Sequence, residues 1–182
     1  MGLWEHFRPD EVMESVAAID LDALAERGIE GLLLDVDNTL ITHGSSDVSP
    51  ERLEWLAQAI ARFKVCLVSN SVTGRRMRRL ADATGIEGIN VWHWGRKPLC
   101  GGVRRGMRIL GTTPETTVMV GDQVMTDVLA GNRAGLRTIW VKPIHPNEFF
   151  VTRLVHRPME AWVARRLGFW SEPAEEGSSD ET

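Results

Sequence analysis

Two aspartates one residue apart, Asp35 and Asp37, follow directly on the apolar run Leu32-Leu33-Leu34. Carboxylates this close repel each other, by roughly 3 kcal/mol at ~5 Å and an effective dielectric of ~20. A protein keeps such a pair where something positive is bound or a proton is moved. Carboxylates can act there as nucleophile, as general acid and base, or as ligands of a hard cation. Three more polar clusters follow apolar stretches: Ser69-Asn70 after Val65–Val68, Lys97 before Pro98, and Asp122 with Asp127 after Thr117–Val120. Hydroxyl and amide donors, an ammonium and four carboxylates suit a phosphoryl group held beside a divalent cation. Taken singly, each cluster has an ordinary reading. Ser69-Asn70 can cap the next helix, Lys97 can be a solvated charge, and Asp127 can sit favourably at a helix N-terminus. Their shared position after successive apolar runs makes the case for one site.

The elements that must gather these residues are parallel strands. Short apolar runs bounded by breakers read as buried strands over 32–35, 65–68, 89–92, 117–120 and 138–141. Between them the sequence predicts helices from Pro50, capped by Ser49, and over 73–84, 103–110 and 127–134. At the N-terminal end, Val12, Val16 and Ile19 suggest a helix with Asp10 near its cap, then a short helical turn from Asp20 to Arg27. Alternating strands and helices predict an α/β fold, a doubly wound, Rossmann-like parallel sheet. Ligands of such sheets bind beyond the carboxyl ends of the strands, where all four clusters fall. No internal repeat is present.

Asp35-Val36-Asp37-Asn38-Thr39-Leu40, Ser69-Asn70, Lys97-Pro98 and Gly121-Asp122-Gln123-Val124-Met125-Thr126-Asp127 resemble the four motifs of the haloacid dehalogenase-type phosphatases, in the family's order. The Asp122–Asp127 stretch, the short N-terminal region and Gly131-Asn132-Arg133-Ala134-Gly135 further resemble the YqeG-type, class IIIA branch, which is related to phosphatidylglycerophosphate phosphatases. The resemblance implies that Asp35 attacks phosphorus and forms an aspartyl-phosphate, and that Asp37 serves as general acid and then base. It further implies that Asp35, the Asp37 backbone carbonyl and Asp122 hold Mg²⁺. Ser69, Asn70 and Lys97 would bind the phosphoryl group, with Asp127 supporting the metal or Lys97.

Neither the segment from Leu40 to Lys64 nor that from Val72 to Arg96 has room for a large cap domain, so the crevice is expected to be open, lidded only by the loop Thr42–Val48. An open crevice suits a large substrate or one embedded in a surface, such as a lipid phosphate. Of the 182 residues, 43% are hydrophobic, enough for one domain over 1–170, with a core at about 30–141 and a helical region over 148–170. The acidic stretch 171–182 is expected to be disordered. A net charge of −4 argues against general nucleic-acid binding. Two cysteines are too few for a disulfide scaffold, and no segment reads as a membrane span or signal peptide, so the expected setting is cytoplasmic. Arginine-rich stretches over 75–79 and 104–108, and the aromatic and basic region 149–170, leave peripheral membrane contact open beside the simpler reading of solvated and packed faces. The functional expectation is an enzyme hydrolysing phosphomonoesters. The alternative is a phospho-accepting or scaffold protein of the same fold.

Overall fold

Leu32, Leu33 and Leu34 are all fully buried, as expected of a strand at the centre of a sheet covered on both faces. In the computed structural model, described over residues 3–41, 48–68, 90–92, 99–144, 163 and 165–168, they belong to β2 (Gly31–Leu34). The other strands are β1 (Glu11–Met13), β3 (Lys64–Val68), β4 (Asn90–Trp92), β5 (Thr117–Gly121) and β6 (Arg137–Val141). They form one parallel sheet in the order β1-β6-β5-β2-β3-β4, with Leu34 in register with Leu67 on one side and Val120 on the other. The chain runs outward from β2 through β3 to β4, then returns to the other side of β2 for β5 and β6. The reversal point therefore lies between β2 and β5, and crevices of doubly wound sheets open at such points.

Side chains alternate across the sheet. Leu32 and Leu34 pack with Leu21 and Leu24 of α1 (Leu21–Glu26) and with Trp55, Leu56 and Ala59 of α2 (Pro50–Arg62). Leu33 faces the opposite layer, with Val103, Met107 and Leu110 of α3 (Gly101–Leu110) and Ala130 of α4 (Leu129–Ala134). Helices thus cover both faces, and the doubly wound α/β architecture expected from the sequence is the one observed.

The N-terminal region departs from expectation. Residues 10–19 form no α-helix; they contribute the edge strand β1, paired with β6 through Glu11–Ile139 and Met13–Val141, and then a 3-10 turn at Val16–Ala18. Asp10 does not cap a helix, because its carboxylate accepts the Thr138 backbone N–H at 2.7 Å. Val12 is 38% exposed whereas Val16 is fully buried, so the helical spacing of the valines does not mark one face. The cap lies at Asp20, whose Oδ1 accepts the N–H groups of Asp22 and Ala23. The helix expected over 127–134 is likewise divided, into a π-helical turn at Val124–Val128 and then α4. Asn132 in α4 ties the N-terminal segment down, donating to the carbonyls of His6 at 2.8 Å and Arg8 at 2.9 Å.

The helix expected over 73–84, the loop at 42–47, most of the 148–170 region and the acidic tail lie outside the described residues. Val163 is an exception within the C-terminal region; it is buried against Val124, Val128 and Trp140. The guanidinium of Arg166 lies 5.8 Å from the centre of the Trp4 ring. This part of the basic and aromatic region packs on the body of the protein.

Cys66 is fully buried in β3, and burial pushes its thiol up to about 12. A raised thiol pKa favours the folded state below the ordinary value of 9.0; that contribution declines as pH rises from there towards about 12. Cys100 is only half-buried. At pH 8 a thiol reagent should therefore titrate one cysteine rapidly in the native protein and both after denaturation. Rapid reaction of both thiols in the native state would contradict the burial of Cys66.

Candidate active site

The end of β2 is shaped by a tight turn. The Asp35 backbone N–H donates to the Val120 carbonyl at 2.9 Å, which continues the β2–β5 pairing to the first aspartate. Beyond it, the N–H groups of Leu40 and Ile41 both return to the Val36 carbonyl. Asn38 adopts a left-handed conformation (φ 62°), which asparagine tolerates better than most residues. It is clamped at both ends: its N–H donates to Ile41 at 2.7 Å and its carbonyl accepts from Ile144 at 3.0 Å. The turn brings the buried Thr39 hydroxyl back to Asp35, where it donates to Oδ2 over a long 3.5 Å. Asp35 and Asp37 are both buried.

The end of β5 supplies the facing wall. The Asp122 carbonyl accepts the indole N–H of Trp140 at 2.7 Å, which fixes the backbone just past the strand to β6. Asp127 lies on the π-helical turn, a device frequent at functional sites. Its Oδ2 accepts the Gln123 backbone N–H at 3.0 Å. Asp127 also presses against Gly121: a β-carbon there would stand 2.3 Å from both Cγ and Oδ2 of Asp127. Only glycine leaves that space.

These two walls bring Asp35, Asp122 and Asp127 together. Each is buried, and each offers a carboxylate oxygen within 4.8 Å of those of the other two. At that spacing each like-charged pair costs on the order of 3 kcal/mol, and burial adds a desolvation cost. An all-oxygen donor set with this excess negative charge fits a hard divalent cation. Asp127 is thus more than a helix-terminal charge; its side chain belongs to the cluster itself. Asp37 stands two residues beyond Asp35, and its side chain is not one of the three.

Of the residues expected from the sequence, Asp35, Asp122 and Asp127 meet, with Asp37 buried next along the chain. Ser69, Asn70 and Lys97 lie outside the described residues. Four further groups support the site: Thr39, Gly121 and the Gln123 backbone N–H, which lie within the motifs but have no role assigned from sequence, and Trp140, which lies outside them. A glycine closing a strand beside an aspartate was a usable sign of close approach. Trp140, 18 residues from its partner carbonyl, gave none.

The chain is similar to known proteins over most of its length. The family model described as mitochondrial PGP phosphatase matches residues 4–144, a span that includes every aspartate of the cluster. The chain is 35% identical over 166 residues to the probable phosphatase YqeG of Bacillus subtilis (strain 168), covering 91% of this chain and 94% of that protein. It is 31% identical over 175 residues to the chloroplastic phosphatidylglycerophosphate phosphatase 1 of Chlamydomonas reinhardtii, covering 91% of this chain and 64% of the algal protein. An uncharacterized protein from Listeria monocytogenes serotype 4b, a solved structure, shares the fold with a TM-score of 0.50 at 22% identity, over 66% of this chain and 85% of that one. With its buried carboxylates at the reversal point of the sheet, the chain belongs to the PGP phosphatase family and is a phosphatase.

Proposed function

We propose that the protein hydrolyses a phosphomonoester through an aspartyl-phosphate, with Mg²⁺ as its cation and a lipid phosphate such as phosphatidylglycerophosphate as its substrate. The observation that carries this reading is the buried Asp35–Asp122–Asp127 cluster at the β2–β5 reversal point. The lipid substrate is supported by the name of the algal relative and by the small space for a cap. Between Ile41 and Lys64 the described chain is the single helix α2, and the stretch 69–89 between β3 and β4 is long enough for a helical crossover but too short for a large cap domain.

In this mechanism a carboxylate oxygen of Asp35 attacks phosphorus. The bond from phosphorus to the ester oxygen breaks, and the leaving oxygen takes a proton from Asp37. Asp37, now a carboxylate, removes a proton from water as that water attacks the phosphorus of the aspartyl-phosphate. The bond to Asp35 breaks, inorganic phosphate forms, and both aspartates return to their starting states. The side chains of Asp35, Asp122 and Asp127 would hold Mg²⁺, as would the Asp37 carbonyl, and the ion would supply positive charge against the phosphoryl oxygens. Ser69, Asn70 and Lys97 would bind those oxygens. The Thr39 hydroxyl would orient Asp35, and the Gln123 N–H would orient Asp127.

Asp37→Asn keeps the shape but loses proton transfer, so turnover should fall by about 10²–10⁴ in steady-state assays. An unchanged rate would remove Asp37 from the mechanism. The substrate assignment is tested by a Mg²⁺-containing screen of phosphatidylglycerophosphate against soluble phosphomonoesters. Preference for the lipid is expected, and much faster hydrolysis of small sugar phosphates would overturn it. No described helix is long and apolar enough to cross a membrane. We place the protein in the cytoplasm, meeting its substrate at a membrane surface.

A further inference from the structure

The two helical layers differ in charge. On the layer formed by α1 and α2, the helices carry the acidic residues Asp22, Glu26, Glu51 and Glu54 and the basic residues Arg52 and Arg62. On the opposite layer, α3 and α4 carry Arg104, Arg105, Arg108 and Arg133, all exposed, and no acidic residue at all. A shallow hollow of about 310 Å³ lies on α3, lined by Arg105, Arg108 and Ile109. This concentration of positive charge occurs in a chain whose net charge is −4. Beyond α4 the surface carries Glu5 and Asp10 beside Arg8, so among the described residues of this layer the excess positive charge belongs to the two helices.

The same layer carries an exposed apolar side chain at the end where the chemistry lies. α3 joins two parallel strands, so its N-terminus stands at their carboxyl ends, the end that holds Asp35 and Asp122. Leu99, just ahead of that N-terminus, is 64% exposed, more than any other described large hydrophobic residue. Arginines set behind an exposed leucine match the chemistry of a bilayer interface, with anionic headgroups over acyl chains.

We infer that the α3–α4 layer, led by Leu99, docks on an anionic lipid surface and thereby presents the carboxylate cluster to it. This deepens the lipid-phosphate reading and rests on it for its physiological purpose, although docking itself can be measured without turnover. It assigns the contact to a face other than the C-terminal aromatic region.

The test uses the full chain in flotation with vesicles of phosphatidylcholine alone or with phosphatidylglycerol added. Wild type should float only with the anionic vesicles and should release in 0.5 M NaCl, where the Debye length has shrunk to a few ångströms (roughly 3–5 Å). Arg104→Gln/Arg108→Gln/Arg133→Gln should weaken partitioning by on the order of 100-fold, at about fivefold per arginine. Leu99→Ser should weaken it by about tenfold. Arg62→Gln, on the opposite layer, should float as wild type does. The triple variant should keep its rate on a soluble phosphomonoester and lose rate on vesicle-embedded lipid phosphate. Equal binding to neutral vesicles, a triple variant that floats like wild type, or a wild type that never floats would overturn the docking face. Arginine-dependent retention on a polyanion without any flotation would overturn it in favour of an acidic macromolecule. Flotation as expected, but with no hydrolysis of lipid phosphate even in detergent, would leave the docking standing and remove the lipid substrate.

Discussion

Asp35→Asn should abolish the phosphoenzyme and lower turnover by on the order of 10⁴–10⁶, the scale on which loss of an attacking group is felt. An amide oxygen in the same place is a poor nucleophile, and the rest of the site cannot replace it. The substitution should also reveal the electrostatic cost of the cluster. Asp35 stands within 4.8 Å of both Asp122 and Asp127, all buried. Removing its charge relieves two repulsions, and the buried amide N–H groups and the weaker acceptor offered to the Thr39 hydroxyl take back part of that gain, so the variant in EDTA should be more stable than wild type, by about 1–3 kcal/mol. That corresponds to a rise in melting temperature of roughly 2–12 °C for a domain of this size. Acid-quenched samples after incubation with ³²P-labelled substrate report the first effect, and thermal unfolding in EDTA the second. A variant that still becomes labelled would show that another residue is the nucleophile.

Gly121→Ala should impair the site without altering any carboxylate. The added methyl would stand 2.3 Å from Asp127 Cγ and Oδ2 and 2.5 Å from its β-carbon, far inside contact distance. Asp127 cannot simply rotate aside, because its own β-carbon is among the clashing atoms and the Gln123 N–H holds its carboxylate. The π-helical turn must move, and its buried residues Val124 and Val128 pack against Trp140, which holds the Asp122 carbonyl. Overpacking of this kind typically costs about 1–3 kcal/mol. Displaced supporting groups typically lower metal affinity by about 10–100-fold. Calorimetric titration with Mg²⁺ and thermal melting would measure both. Wild-type affinity in Gly121→Ala would mean that Asp127 contributes nothing to cation binding.

The parts of the fold legible in the sequence are those encoded locally. Leu32-Leu33-Leu34 announces a strand covered on both faces because all three positions are apolar, and a half-buried strand would alternate. Asp35 and Asp122 were legible because each closes such a run, and strand ends in a doubly wound sheet converge; Asp127, five residues further on, was legible through the motif it completes. The edge strand β1 was not legible. It is three residues long, and its anchor is the bond from the Thr138 N–H to Asp10, 128 positions away in the chain. Three apolar residues at helical spacing, Val12, Val16 and Ile19, were too few to establish a face. The Trp140–Asp122 bond and the fit of Asp127 over Gly121 were hidden for a related reason. Both depend on how β6 and the π-helical turn lie against β5, which no local pattern specifies.

The cation site is the claim on which the chemistry turns, and calorimetric titration of the full chain with Mg²⁺, paired with turnover in EDTA, tests it most directly. One ion bound per chain, lost in Asp122→Asn, with turnover abolished by EDTA and restored by Mg²⁺, is the expected result. No binding at millimolar Mg²⁺ together with full turnover in EDTA would contradict it.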